Sequence, residues 1–180
     1  MRISLDDIKG EGLVRDLVAS AGDFPALAEL VEAGEVAFEA PVAVRLRLTR
    51  VGDLVEVEGQ VQTTVRLNCG RCLNDYVAPL TSAFTLTYAQ VLPQVEDEEG
   101  DVELSAEDLG MTLLEGDEID FNEAVQEQLL LALPFRPLCS DSCRGLCPHC
   151  GADLNTTSCD CHDDGFGNKF SALKNFKVER

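Results

Sequence analysis

Long apolar runs are missing from this chain. The longest, residues 129–134, is about a third of the ~18 to 20 residues that a membrane helix needs, so no helical span is expected. The opening Met1-Arg2-Ile3-Ser4-Leu5-Asp6-Asp7 turns acidic at once, with no apolar core and no small-residue cleavage site. It does not read as a secretory signal, and the expected compartment is the reducing cytoplasm. Basic residues are scarce as well: 14 Lys and Arg stand against 33 Asp and Glu, a formal charge of −19, and none lies between Arg71 and Arg136. Nucleic-acid binding draws most of its affinity from cationic side chains that displace counterions from phosphates, so direct binding to RNA or DNA is disfavoured and a basic protein partner is the easier inference. Histidine is limited to His149 and His162. There is no Ser/His/Asp set, no phosphate-cradling glycine loop, no metalloprotease helix and no internal repeat, and the chain is expected not to be an enzyme.

What is present suits one α+β unit with an appended module. With 180 residues, 45% of them hydrophobic, the chain can bury a real core. Over the first 35 residues a short strand near residues 2–5 and one or two short helical pieces are expected, the better of them at residues 24–31. Val42, Val44, Leu46 and Leu48 then alternate with Ala43, Arg45, Arg47 and Thr49, the pattern of a half-buried strand. After the Val51-Gly52-Asp53 turn, Val55, Val57, Val61, Val65 and Leu67 continue a second strand, with Gly59 a candidate bulge, and a third runs over about residues 78–90. The expected fold is an antiparallel meander, or partial barrel, packed by a Leu-rich helix. That helix starts at Asp120 and Glu123 as a capping-box-like pair, carries Phe121, Ala124, Val125, Gln128, Leu129 and Ala132 as its stripe, and stops at Pro134. Residues 94–104 form an acidic stretch, read chiefly as a solvated loop. The proposed division is a body over residues 1–138 and a cysteine-rich extension over 139–180, too poor in apolar residues to fold without metal and ending in a short amphipathic helix at 170–176.

The eight cysteines fall into four close pairs: Cys69/Cys72, Cys139/Cys143, Cys147/Cys150 and Cys159/Cys161. Clustered thiols in a reducing compartment bind metal or carry redox chemistry. Zinc takes four tetrahedral ligands and favours thiolates, and a two-residue gap lets one turn aim two sulfurs at one ion. In Cys147-Pro148-His149-Cys150-Gly151, the glycine permits the positive φ that turns amides toward sulfur. Cys147, Cys150, Cys159 and Cys161 are the first candidate set, in a small zinc-ribbon-like extension. Cys69, Cys72, Cys139 and Cys143 are the second, clipping the late segment to the meander across a long loop. Another combination, drawn from Cys139 to Cys150 and leaving Cys69 and Cys72 free, stays open, as does a histidine replacing a cysteine. The rival chemistry is thiol–disulfide exchange at Cys69-Gly70-Arg71-Cys72, with Arg71 lowering a thiol pKa. Such motifs sit between a strand and a helix, whereas here the sequence leads into another strand.

The Cys69-Gly70-Arg71-Cys72-Leu73 turn within a meander, the acidic loop, Ile119-Asp120-Phe121, Gln126 through Pro134, and Pro137-Leu138-Cys139 together resemble the bacterial YceD family. Its members are also called large ribosomal RNA subunit accumulation proteins. The resemblance covers about residues 36–176. The run from Cys143 through Gly151, with Asn155 and Cys159-Asp160-Cys161, resembles the longer, cysteine-rich form; short members lack this second cluster, which implies two separable sites, the first on Cys69, Cys72, Cys139 and Cys143. Gly167-Asn168-Lys169-Phe170 departs from the Asp-Pro-Arg-like element expected there. The resemblance implies a cytoplasmic ribosome-biogenesis factor supporting synthesis or accumulation of large-subunit (23S) ribosomal RNA, without enzyme activity. Combined with the charge, it points to action through a basic partner such as a ribosomal protein or an RNA-processing nuclease. An acidic mimic of nucleic acid that inhibits a nuclease is a third reading.

Overall fold

The structure is a computed structural model, and it describes residues 1–90, 110–114 and 116–161. The chain opens with β1 (Arg2–Ser4), β2 (Leu13–Ala19), α1 (Pro25–Glu32) and β3 (Ala37–Phe38). The long strands follow: β4 (Val42–Val51), β5 (Leu54–Asn68) and β6 (Asp75–Ala89). Then come β7 (Met111–Leu113), β8 (Glu118–Asp120) and α2 (Asn122–Ala132). The main sheet runs β2-β4-β5-β6-β7, with β3 added to β5 beyond the end of β4. β1 and β8 pair in a separate two-stranded sheet. The architecture is α+β, as expected.

The period-two pattern explains the sheet. Val42, Val44, Leu46 and Leu48 of β4 are buried while Arg45 and Arg47 are exposed; Val55, Val57, Val61, Val65 and Leu67 of β5 repeat the alternation. Leu48 faces Val57 and Val44 faces Val61, so the buried sets fall on one face. That face is covered by Phe24 and Leu27 at α1 and by Phe121, Val125 and Leu129 at α2. α2 packs chiefly on β6. The Gln126 side chain accepts the Ala26 N–H at 2.9 Å, and the Phe121 ring meets Tyr88 edge-on at 5.9 Å.

Several expectations are corrected. Residues 13–19 form a strand not foreseen among the first 35 residues, and they pair along their whole length with β4. The sheet is mixed: β7 joins β6 in parallel. No pairing of β2 with β7 closes the sheet among the described residues. Gly59 is not a bulge, for the register runs unbroken from Leu46↔Gly59 to Gly59↔Phe84. Its role is room: a Cβ placed there would overlap the Phe84 ring. Gly59→Ala should therefore destabilise the sheet by about 1–3 kcal/mol through overpacking, measured by denaturant unfolding; an unchanged midpoint would show that Phe84 relocates freely. At α2 the N-cap is Phe121, and Asp120 accepts the Asn122 N–H at 3.0 Å from one residue before the cap. The acidic stretch at 94–104 and the helix expected at 170–176 lie outside the described residues. Among the described residues, no helix is long and apolar enough to cross a membrane.

Candidate metal centres

The β5–β6 hairpin carries the first cysteine pair at its tip. The ladder ends at Asn68↔Asp75; beyond it the Cys69 N–H donates to the Asn74 carbonyl at 2.9 Å and the Leu73 N–H to the Cys69 carbonyl at 2.9 Å. Leu73 holds the turn with φ +59°, unusual for a residue with a side chain. Pro134 follows the end of α2, and the chain returns to this tip, where the Gly70 N–H donates to the Pro137 carbonyl at 2.8 Å. That contact delivers Cys139 and Cys143.

The four sulfurs of Cys69, Cys72, Cys139 and Cys143 lie within 4.8 Å of one another. Cys69 Sγ stands 3.7 Å from Cys143 Sγ, and Cys72 Sγ 3.7 Å from Cys139 Sγ. A tetrahedron of thiolates at the usual Zn–S length of about 2.3 Å has an edge of roughly 3.8 Å, so the donor set fits a single ion. Leu138, Leu146 and Tyr76 pack around it. Cys147, Cys150, Cys159 and Cys161 form a second set, again within 4.8 Å. Its frame is a small hairpin: Leu146 bridges Asp153, the Cys147 N–H donates to the Ala152 carbonyl at 2.8 Å, and the Gly151 N–H donates to the Cys147 carbonyl at 2.9 Å with Gly151 at φ +73°. Thus the eight cysteines form two four-sulfur groups, each able to hold a metal ion. The geometry does not assemble the other combination of Cys139 to Cys150. His149 belongs to neither group, and His162 lies outside the described residues.

In each group backbone amides hold one thiol below its ordinary value. The Cys69 thiol is lowered to about 6, chiefly by the Cys72 amide and next by that of Cys139; Cys147 is lowered to about 6, chiefly by the amides of Cys150 and His149. Their neighbours go the other way. Cys139 is pushed up to about 12, first by its hydrogen bond with Cys143, and Cys161 to about 12, first by its bond with Cys150. Cys72 and Cys159 are raised as well, and the protons of these raised thiols must leave when a dication arrives. Zinc titration at pH 7 should release protons from these raised thiols, visible as buffer-dependent calorimetric heats. The sign follows: affinity falls as acid protonates the ligands, most steeply below about pH 6. Binding without proton release would contradict this.

Arg71 serves a purpose that its position in the motif does not announce. Its guanidinium Nη1 donates to the carbonyls of Cys143 at 2.8 Å and Asp141 at 3.3 Å, and its own carbonyl accepts the Leu146 N–H at 3.2 Å. Gly145, at φ +74°, allows this approach, since a Cβ there would sit 3.0 Å from the Arg71 carbonyl oxygen. The motif thus docks one metal-capable segment on another. Sequence reasoning also missed Asn74 and Asp153: the Asn74 amide donates to Asp153 Oδ2 at 2.8 Å, tying the hairpin tip to the second group's frame.

The family described as "Large ribosomal RNA subunit accumulation protein YceD" matches residues 57–177, a stretch that takes in α2 and all eight cysteines. The chain belongs to the YceD family. Among its relatives, the maize "Large ribosomal RNA subunit accumulation protein YCED homolog 1, chloroplastic" is 28% identical over 67% of this chain and 48% of the relative. The Arabidopsis thaliana protein of the same name is 29% identical over 71% of this chain and 47% of the relative. An uncharacterized protein of Mycobacterium tuberculosis is 31% identical over 61% of this chain and 49% of the relative. This YceD chain spans about half the length of these curated relatives. No solved structure matches it.

Proposed function

We propose that this chain is a non-enzymatic, zinc-binding factor of ribosome biogenesis that supports accumulation of large-subunit ribosomal RNA in the cytoplasm, and that it acts through a basic protein partner. The observation that carries the reading is the family match across residues 57–177, because it includes both sulfur groups and the helix that leads to them. Under this reading residues 139–161 belong to a zinc-ribbon-like extension, and Cys69, Cys72, Cys139, Cys143, Cys147, Cys150, Cys159 and Cys161 hold two structural zinc ions. Four-thiolate sites are closed to substrate, which supports a binding role over catalysis.

The partner's chemistry is argued from charge and from α2. The formal charge is −19, and two four-thiolate zinc sites add a formal −2 each. Along α2 and just past it, Glu123, Glu127, Leu131 and Phe135 recur every fourth residue, all exposed; Leu131 is 71% and Phe135 96% exposed. Exposed carboxylates on α2, with exposed Leu131 on the helix and Phe135 beyond its end, suit a basic protein that also offers an apolar cleft. Depleting the protein from its host should lower large-subunit relative to small-subunit ribosomal RNA, and Glu123→Lys with Glu127→Lys should fail to restore it. RNA binding at near-physiological salt tests the indirect route: sub-micromolar, salt-sensitive binding by the isolated chain would overturn it. Thiol alkylation separates the redox alternative, because ligated thiolates resist reagent and a cycling Cys69/Cys72 pair does not. Arg71, committed to two carbonyls, favours ligation.

A further inference from the structure

The two sulfur groups are joined by one side chain. Asn155 lies between Cys150 and Cys159, inside the chain excursion that the second group closes. Its amide Nδ2 nevertheless reaches the first group, 3.4 Å from Cys143 Sγ. The same side chain is held from two other directions. Its Oδ1 accepts the Arg144 N–H at 2.8 Å, and its Nδ2 also donates to Asp153 Oδ1 at 2.7 Å, while its backbone N–H donates to that carboxylate at 2.9 Å. Asp153 in turn accepts from Asn74 on the first hairpin tip. Below Asn155 the small hairpin registers the pair, with the Leu154 N–H donating to the Gly145 carbonyl at 2.9 Å. Just above it, Thr156 and Thr157 cap back onto the Asp153 carbonyl before Cys159 and Cys161 are reached.

We infer that Asn155 is a positioning residue for the metal site of Cys69, Cys72, Cys139 and Cys143, supplied by the module that carries the other site, and that the two sites therefore bind metal cooperatively. The inference rests on the reading that both groups hold metal. An N–H donated to a thiolate ligand spreads its negative charge and fixes the orientation of its lone pairs, and such outer contacts typically carry about 10- to 100-fold in metal affinity. Cys147 and Cys150 fix one end of the excursion holding Asn155, and Cys159 and Cys161 fix the other. When those four sulfurs share an ion, Asn155 has few places to go except against Cys143. When they do not, the excursion is free to open and the donor is withdrawn. Linkage makes the effect reciprocal: whatever factor the second site adds to the first, the first adds to the second.

The test uses the full chain with zinc, and with cadmium as a spectroscopic substitute. Cys161→Ser, which removes one ligand of the second site, should weaken zinc binding at the first site about tenfold in competition with a chromophoric chelator. Asn155→Ala should reproduce that loss with the second site intact, and the double variant should lose no more than either single change. Asn155→Asp keeps the shape but replaces the donor with a carboxylate oxygen, so it should lose at least as much. The cadmium-113 resonance of the first site should shift in both Asn155 variants, a change that loosened packing elsewhere does not produce. Zinc bound at both sites with affinities and resonances indifferent to Asn155, or with additive losses in the double variant, overturns the inference and leaves the metal reading standing. A wild-type chain purified without zinc in either site overturns both.

Discussion

Stripping zinc from the purified protein should release residues 139–161 while the sheet stays folded. The two halves are held by different forces. The sheet has its own core: buried side chains of β4 and β5 lie against Phe24 and Leu27 on one side of the cover and Phe121, Val125 and Leu129 on the other. Among the described residues the late segment has no comparable cluster. Its apolar contacts are Leu138 and Leu146 against the sulfurs themselves, with Tyr76 from the hairpin. A structural zinc ion contributes on the order of 10 kcal/mol of binding free energy in small thiolate domains, and where no site exists in the unfolded chain that energy is folding energy. Removal by a strong chelator under reducing conditions should collapse amide-exchange protection around the two groups to near zero while protection in β4, β5 and β6 persists. Elemental analysis of protein prepared without added metal should give two zinc ions per chain. One ion would confine the site to a single group, and full protection of residues 139–161 in metal-free protein would refute the idea that metal holds this segment.

The parts legible in the sequence are those set by local chemistry. Alternation of Val42, Val44, Leu46 and Leu48 fixes a face because a strand has no other way to present them. Cysteine spacing limits which sulfurs one turn can aim together, and it points to Cys147, Cys150, Cys159 and Cys161. For Cys69, Cys72, Cys139 and Cys143 spacing leaves another combination open, and the return of the chain to the hairpin tip brings these four together. Where the outcome depends on a distant neighbour, the sequence was silent or misleading. Residues 13–19 put Leu13, Arg15, Leu17 and Ala19 on one side and Val14, Asp16 and Val18 on the other, a mixture with no clean period; only the free edge of β4 makes them a strand. The three residues of β7 carry no mark of parallel pairing. Arg71 reads from sequence as a charge that tunes a thiol, yet its guanidinium is spent on the Cys143 and Asp141 carbonyls, some seventy residues away. Asn155 shows the same limit: its contact with Cys143 exists only after the small hairpin has closed.

Phe121→Ala should unfold the body at a much lower temperature and leave its zinc content untouched. Phe121 is fully buried, meets Tyr88 at 84° between ring planes, and is the N-cap from which α2 departs. Truncating a buried phenylalanine costs about 3–5 kcal/mol, through lost transfer energy and the cavity that remains. The edge-on contact with Tyr88 adds about 0.5–1.5 kcal/mol to what is lost. Set against a total stability of about 5–15 kcal/mol for a domain, this is a large fraction, and the expected fall in melting temperature is on the order of 10 °C or more. Below the new transition both sulfur groups should still be charged with metal, because their ligands come from the far tip of the β5–β6 hairpin and the segment docked on it, not from the start of α2. Calorimetric unfolding together with zinc quantification on the same sample decides the matter. Loss of zinc at temperatures where the sheet is intact would mean that the position of α2 sets the geometry of Cys139 and Cys143, making core and metal one cooperative unit.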